Sequence, residues 1–133
     1  MPNMETLAPG AKGTAQAVVD SSNVASTMGS GEIEVFATPA MIALMEAAAV
    51  AALKEHLEEG ETSVGIRLEV SHTAATPVGM DVRAEAEVTE IDGRRIIFQV
   101  AAFDAKEKIG DGRHERFIVK TGKFMEKVRG KLG

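Results

Sequence analysis

The residue that most needs a chemical account is Glu46. From Met41 to Leu53 every other side chain is apolar, so a carboxylate interrupts TPAMIALMEAAAVAALKEHL, residues 38–57. A helix that is apolar all round must be buried. Burying an unpaired carboxylate costs several kcal/mol, on the order of the whole stability of a small domain. Glu46 must therefore be paired, protonated or turned toward a cleft. Paired with a buried arginine or with backbone donors, it is structural. Desolvated in a cleft, it can activate water or attack a carbonyl directly.

Two further side chains could join it. Thr38 stands where the helix begins, with Pro39 behind it, which reads as an N-cap followed by proline at the first helical position. The functional reading of Thr38 is a hydroxyl beside free backbone N–H groups, a place that favours negative charge developing on a carbonyl oxygen. Thr38 and Glu46 are eight residues apart, about 12 Å of rise and some 80° of rotation on a helix, so a substrate or a second subunit must lie between them. His72 falls in the apolar phase of a strand, where a histidine is either a satisfied core residue or a proton carrier. His56, in the charged end of the helix, and His114, between Arg113 and Glu115, are weaker candidates.

Other chemistries are excluded by what the chain lacks. It has no cysteine, so thiolate catalysis, disulfides and Cys-ligated zinc are out, and its three scattered histidines make no metal-ligand spacing. No metal is expected. There is no G-x-S-x-G elbow and no phosphate loop, and Gly10 to Thr14 only imitates the latter.

The elements that must position these residues follow from periodicity. Residues 13–20 read as a short strand closing in the polar loop SSNVASTMGSGE, which is expected to lie against the helix start. The helix is expected to end at Gly60. VGIRLEVSH alternates, with Val64, Ile66, Leu68, Val70 and His72 on one face and Gly65, Arg67 and Glu69 on the other. MDVRAEAEVTEI is a long strand with one wet face. Asp92-Gly93 is a tight hairpin turn, and RRIIFQVAAFDA returns antiparallel. After a turn near Lys106 and Glu107, KIGDGRHERFIVK forms a last strand whose glycines suggest a bulged start. KFMEKVRGKL is a short amphipathic helix or tail. The result is an α+β domain, a five-stranded antiparallel sheet curled around one long helix. Because one helix cannot hide both its faces and the sheet has two open edges, a dimer is expected.

At 133 residues the chain is expected to be one domain, 13–133, preceded by a loose N-terminus, 1–12. The opening MPNMETLAPG has no basic stretch or apolar core of a signal peptide, and no segment reads as a membrane span, so a cytoplasmic address is the expectation. The net charge of -5 argues against general nucleic-acid binding. The charge is uneven, however: Lys and Arg number 4 against 15 Asp and Glu in residues 1–93, and 11 against 5 in residues 94–133. Either basic strands lie beside acidic ones, or the last third offers a docking surface for a polyanionic small molecule.

Three stretches together, VFATPAMIALMEAA, EEGETSVGIRLEVSHTAATPVG, and IGDGRHERFIV followed by KFMEKV, resemble the fluoroacetyl-CoA thioesterase-like branch of the hotdog-fold thioesterases. The resemblance covers most of residues 34–129. It implies a long helix wrapped by an antiparallel sheet, a homodimer whose sheets join, and acyl-CoA as ligand; such a hydrolysis needs no metal or redox cofactor, and none is expected. Carried over residue by residue, it implies that Thr38, Glu46 and His72 are catalytic and that Gly65 and Arg116 belong to the substrate site. Simple alternation sets Gly65 opposite His72, so a bulge or a cross-subunit contact is required. Arg94, Arg95, Arg113 and Lys123 are candidates for the CoA phosphates. Fluoroacetyl-CoA-specific members carry aromatic residues shortly before the catalytic threonine, whereas GSGEIEV at 29–35 has none, which implies a more open pocket for a small or medium acyl group. The alternatives are a hotdog module that binds an acyl-CoA or apolar acid without turnover and, more remotely, an enoyl-CoA hydratase.

Overall fold

The computed structural model describes residues 4–133. Its five strands are β1 (Lys12–Val18), β2 (Glu61–His72), β3 (Asp81–Asp92), β4 (Arg95–Asp104) and β5 (Lys108–Lys120). The helices are α1 (Ala25–Met28), α2 (Thr38–Leu53) and α3 (Thr121–Arg129). The sheet is antiparallel throughout, in the order β1-β3-β4-β5-β2, so β1 and β2 are its edges. The expected five-stranded sheet and long helix are both present. The polar loop contains α1, a single turn that the sequence pattern did not signal.

Alternation along β3 puts Val82, Ala84, Ala86 and Val88 into the core, where they meet Ile96, Phe98, Val100 and Ala102 of β4. Against this face α2 packs Met41, Met45, Ala48, Ala49, Ala52 and Leu53. The small side chains let helix and sheet approach closely. At Gly13 the approach is so close that a Cβ would collide with the α2 backbone at Ala48 and Ala52.

Several local expectations are corrected. Residues 4–12 are docked: Leu7 is buried in the core, Met4 and Ala11 pack on it, and Gly10 N–H donates to Val88 O. The remainder of the supposed loose segment, residues 1–3, lies outside the described residues. The helix regular in α geometry ends at Leu53, where the apolar run ends, and Lys54–His56 continue as a 3-10 turn. In the β3–β4 hairpin Asp92 is still paired, with Arg95, so the two-residue turn is Gly93-Arg94. Positive φ is confined to Gly93, the pattern of a II′ turn.

One face of α2 stays open, as expected of a single helix packed on a single sheet. Ala43, Ala47, Val50 and Ala51 face outward, with Val50 45% exposed. The sheet covers only one side of α2. Nearby β2 leaves Ile66 50% and Leu68 37% exposed.

Candidate active site

The start of α2 is held by the segment before it. Val24 and Phe36 form an antiparallel bridge, Val35 bridges Pro77, and Ala37 N–H donates to Asn23 O. Thr38 is the first residue of the helix rather than its cap, which is Ala37, and Pro39 follows at the second position. Its hydroxyl makes no capping bond. It lies instead 2.7 Å from His72 Nδ1 at the end of β2. Met41 N–H bonds Ala37 O, and Pro39 has no N–H, so the amides of Thr38 and Ala40 are left without partners among the described residues. Burial pushes the His72 imidazole below its ordinary value, opposed by the Ala74 backbone. Thr38 and His72 line a groove of about 340 Å³ with Ala25, Ile33, Val35 and Phe36.

Glu46 lies two turns further along α2. Arg116 Nη1 donates to its Oε2 at 3.0 Å; the arginine side chain is only 7% exposed, the carboxylate 37%. The pair answers the question the sequence posed, since a buried guanidinium compensates the carboxylate, which nonetheless reaches the surface. The other carboxylate oxygen accepts no hydrogen bond among the described residues. Arg116 is itself fixed by Ser63, whose Oγ and carbonyl accept its Nε–H and Nη2–H, and by His114 Nε2.

The alternation of β2 is broken at Ile66. Gly65 pairs with Arg116 and Arg67 with Glu115, leaving Ile66 as the extra residue of a bulge. The bulge turns Gly65 to the inner face it shares with Leu68, Val70 and His72, and sends Val64 to the outer face opposite Phe117. A Cβ at Gly65 would lie 2.5 Å from Glu46 Oε2, 3.2 Å from His114 Cε1 and 3.4 Å from Arg116 Nη1. Gly65 is thus a wall of the carboxylate's niche.

Within one chain the structure brings Glu46, Gly65 and Arg116 together, and Thr38 with His72, as two groups. The proposed phosphate ligands lie elsewhere. Arg95 and Arg113 are on the outer face of the sheet, clamped on the buried Glu115 at 2.7 and 3.1 Å, and they hold that carboxyl below the usual range. Arg94, the second residue of the turn, pairs with Glu61 at 3.1 Å, and Lys123 is exposed on α3. The basic strand residues therefore sit beside acidic ones. The residue that sequence reasoning underrated is His114. Its signal was available: in RHER, His114 and Arg116 are two apart and share a face with Ile118, which is buried.

Comparison with known proteins bears on what these groups do. The family model described as FlK, fluoroacetyl-CoA-specific thioesterase, matches residues 19–122. The chain belongs to this thioesterase family. A fluoroacetyl-CoA thioesterase of Streptantibioticus cattleyicolor is 48% identical over 98 residues, which are 74% of this chain and 70% of that one. A solved structure of the fluoroacetyl-CoA thioesterase FlK superposes with a TM-score of 0.88 at 40% identity, covering 94% of this chain and 97% of the other. A mutant of that thioesterase in complex with acetyl-CoA gives 0.90 at 38%, covering 96% and 100%. A thioesterase superfamily member from Thermus thermophilus gives 0.86 at 29%, covering 94% and 93%. The family likeness extends over the whole fold, and the sheet and helix are those of the hotdog thioesterases.

Proposed function

We propose that this thioesterase hydrolyses a small or medium acyl-CoA to the free acid and CoA, with Thr38, Glu46 and His72 as its catalytic residues. The observation that carries the assignment of residues is the niche around Glu46. Arg116 holds one carboxylate oxygen, Gly65 leaves room beside it, and the other oxygen is free to accept a proton. Membership of a thioesterase family supplies the reaction class.

In the proposed reaction Glu46 takes a proton from water as the oxygen attacks the thioester carbonyl. The carbonyl oxygen gains negative charge at the start of α2, where the Thr38 hydroxyl and the free amides of Thr38 and Ala40 can donate to it. Collapse of the tetrahedral intermediate breaks the C–S bond. The proton that Glu46 took from water passes through Nε2 of His72, whose Nδ1–H is held by the Thr38 oxygen, to the departing thiolate, so that Glu46 ends ionised and His72 neutral as they began. The products are the acid and the CoA thiol. Direct attack by the Glu46 carboxylate, through an anhydride, uses the same groups. Neither route calls for a metal or redox cofactor.

The two groups of residues stand about 12 Å apart along α2, so the complete site is proposed to form in a homodimer. The uncovered face of α2 at Ala43, Ala47 and Val50, beside Ile66 and Leu68 on the β2 edge, supports that arrangement. Two helices meeting there antiparallel would bring Glu46 of one subunit toward Thr38 and His72 of the other. The acyl chain is assigned to the groove lined by Ile33, Val35 and Phe36.

The test is thiol release, followed with a disulfide dye, across acetyl-, phenylacetyl-, hexanoyl- and fluoroacetyl-CoA. Turnover is expected for at least one ester, and Glu46→Gln should lower kcat by roughly 10² or more while the variant remains folded. Silence across the panel, with CoA esters still raising the melting temperature, would instead identify a binding module.

A further inference from the structure

Arg116 is buried, and the hydrogen-bond partners of its guanidinium can be counted one by one. Nε–H and Nη2–H go to Ser63, and Nη1 has two hydrogens, one for Glu46 Oε2 and one for His114 Nε2 at 3.1 Å. An arginine only donates, so His114 Nε2 must present its lone pair. The other ring nitrogen, Nδ1, lies 2.8 Å from Arg67 O, a carbonyl that only accepts, so Nδ1 must carry the hydrogen. Both neighbours thus demand one state of the ring: neutral, with its proton on Nδ1. The ring is fully buried and stacks on Phe98 at 6.0 Å and 27°, which fixes its plane.

The two ends of this ring touch the two features that shape the Glu46 niche. Arg67 is the first residue past the bulge that turns Gly65 inward, and Arg116 is the partner of Glu46. Without an acceptor at Nε2, a buried N–H of Arg116 would be left unpaired, and the guanidinium would turn to find another partner.

We propose that His114 is a positioning residue for hydrolysis: its neutral ring aims the Arg116 guanidinium and so sets the orientation of the Glu46 carboxylate. The proposal rests on the reading of Glu46 as the catalytic carboxylate. His114 does not touch the substrate, so its loss should slow turnover and leave binding nearly alone.

Two substitutions separate this role from simple packing. The side-chain oxygen of Gln can reach the Nε2 position and accept from Arg116. The amide of Asn reaches only the Nδ1 position, where it can serve Arg67 but not Arg116. Thiol release is measured for the full chain and both variants, with melting temperatures alongside. His114→Gln should retain kcat to within a few fold, whereas His114→Asn should lose roughly ten- to a hundredfold in kcat with KM changed by less than about threefold. A folded Asn variant with undiminished kcat, or Gln and Asn variants impaired alike, would overturn the proposal. Nitrogen NMR of histidine-labelled wild-type protein gives a second test that needs no variant to fold. The Nδ1–H tautomer is expected for His114, and an Nε2–H or doubly protonated ring at neutral pH would overturn it. Absence of turnover by the wild type would overturn the thioesterase reading instead, and leaves the tautomer result standing on its own.

Discussion

Gly65 faces Glu46 across a gap with no room for a methyl group. The glycine sits on edge strand β2 and the glutamate on α2, and a Cβ on the first would come 2.5 Å from a carboxylate oxygen of the second. Its neighbours there are His114 and Arg116, both buried, so the side chain with freedom to yield is Glu46. Gly65→Ala should therefore push the carboxylate off Arg116 and lower kcat roughly tenfold or more. The φ of Gly65 is not positive, so the backbone tolerates alanine and the melting temperature should change little. Paired kinetic and melting measurements check this; a fully active alanine variant would mean the niche is not where the chemistry happens.

Thr38 gives a complementary prediction. Its hydroxyl bonds His72 and does not cap the helix, so removing it should not unfold α2. Thr38→Ala is expected to lower kcat by about ten- to a hundredfold with a small change in melting, and Thr38→Ser, which keeps the hydroxyl, should restore most of the rate. A large drop in melting temperature for the alanine variant would return the threonine to a purely structural role.

The uncovered face of α2 makes the proposed dimer testable. Val50 is half exposed in one chain, so Val50→Asp costs the isolated fold little, but between two packed helices it would bury an unpaired charge. Sedimentation should show the wild type as a dimer and the variant as a folded monomer without turnover. A wild type that sediments as a monomer and still hydrolyses thioesters would rule out a shared site.

Stability should fall on the acid side, and the sign follows from the two histidines. Burial lowers the affinity of His72 and His114 for protons below the ordinary value of 6.5. For His114 the Arg116 charge adds to this, while the Arg67 carbonyl, Glu46 and Glu115 oppose it. Directly across from it, Leu68 of β2 and Phe98 of β4 carry no charge. Below pH 6.5 the unfolded chain thus binds more protons than the folded one, so stability is complete above that pH and declines as pH falls toward the folded-state values. Melting scans from pH 8 to 5 should show this slope, and His114→Gln should flatten it. A slope unchanged in that variant would assign the acid sensitivity to other groups.

What the sequence determined by itself was whatever depends on local period and on the cost of burying charge. The alternation of β3 and of β4, the apolar run of α2 and the stranded Glu46 were all legible, because each is a statement about which side chains can face water. Thr38 and His72 were legible as candidates for similar reasons, although nothing in their spacing placed them in contact. The tertiary structure decided the rest. Ile66 breaks the phase of an otherwise perfect alternation, and only the pairing of β2 with β5 reveals that one residue is left over and that Gly65 turns inward. Arg116 finds Glu46 seventy residues away through sheet order, which period cannot encode. His114 looked like one member of a charged run because sequence neighbours on a strand point to opposite faces: Arg113 and Glu115 pair outside, while His114 and Arg116 point inward, where Arg116 reaches Glu46 of the helix. The uncovered face of α2 has the same origin, since an apolar helix must be covered, but how much of it one sheet covers depends on the sheet's width and curl.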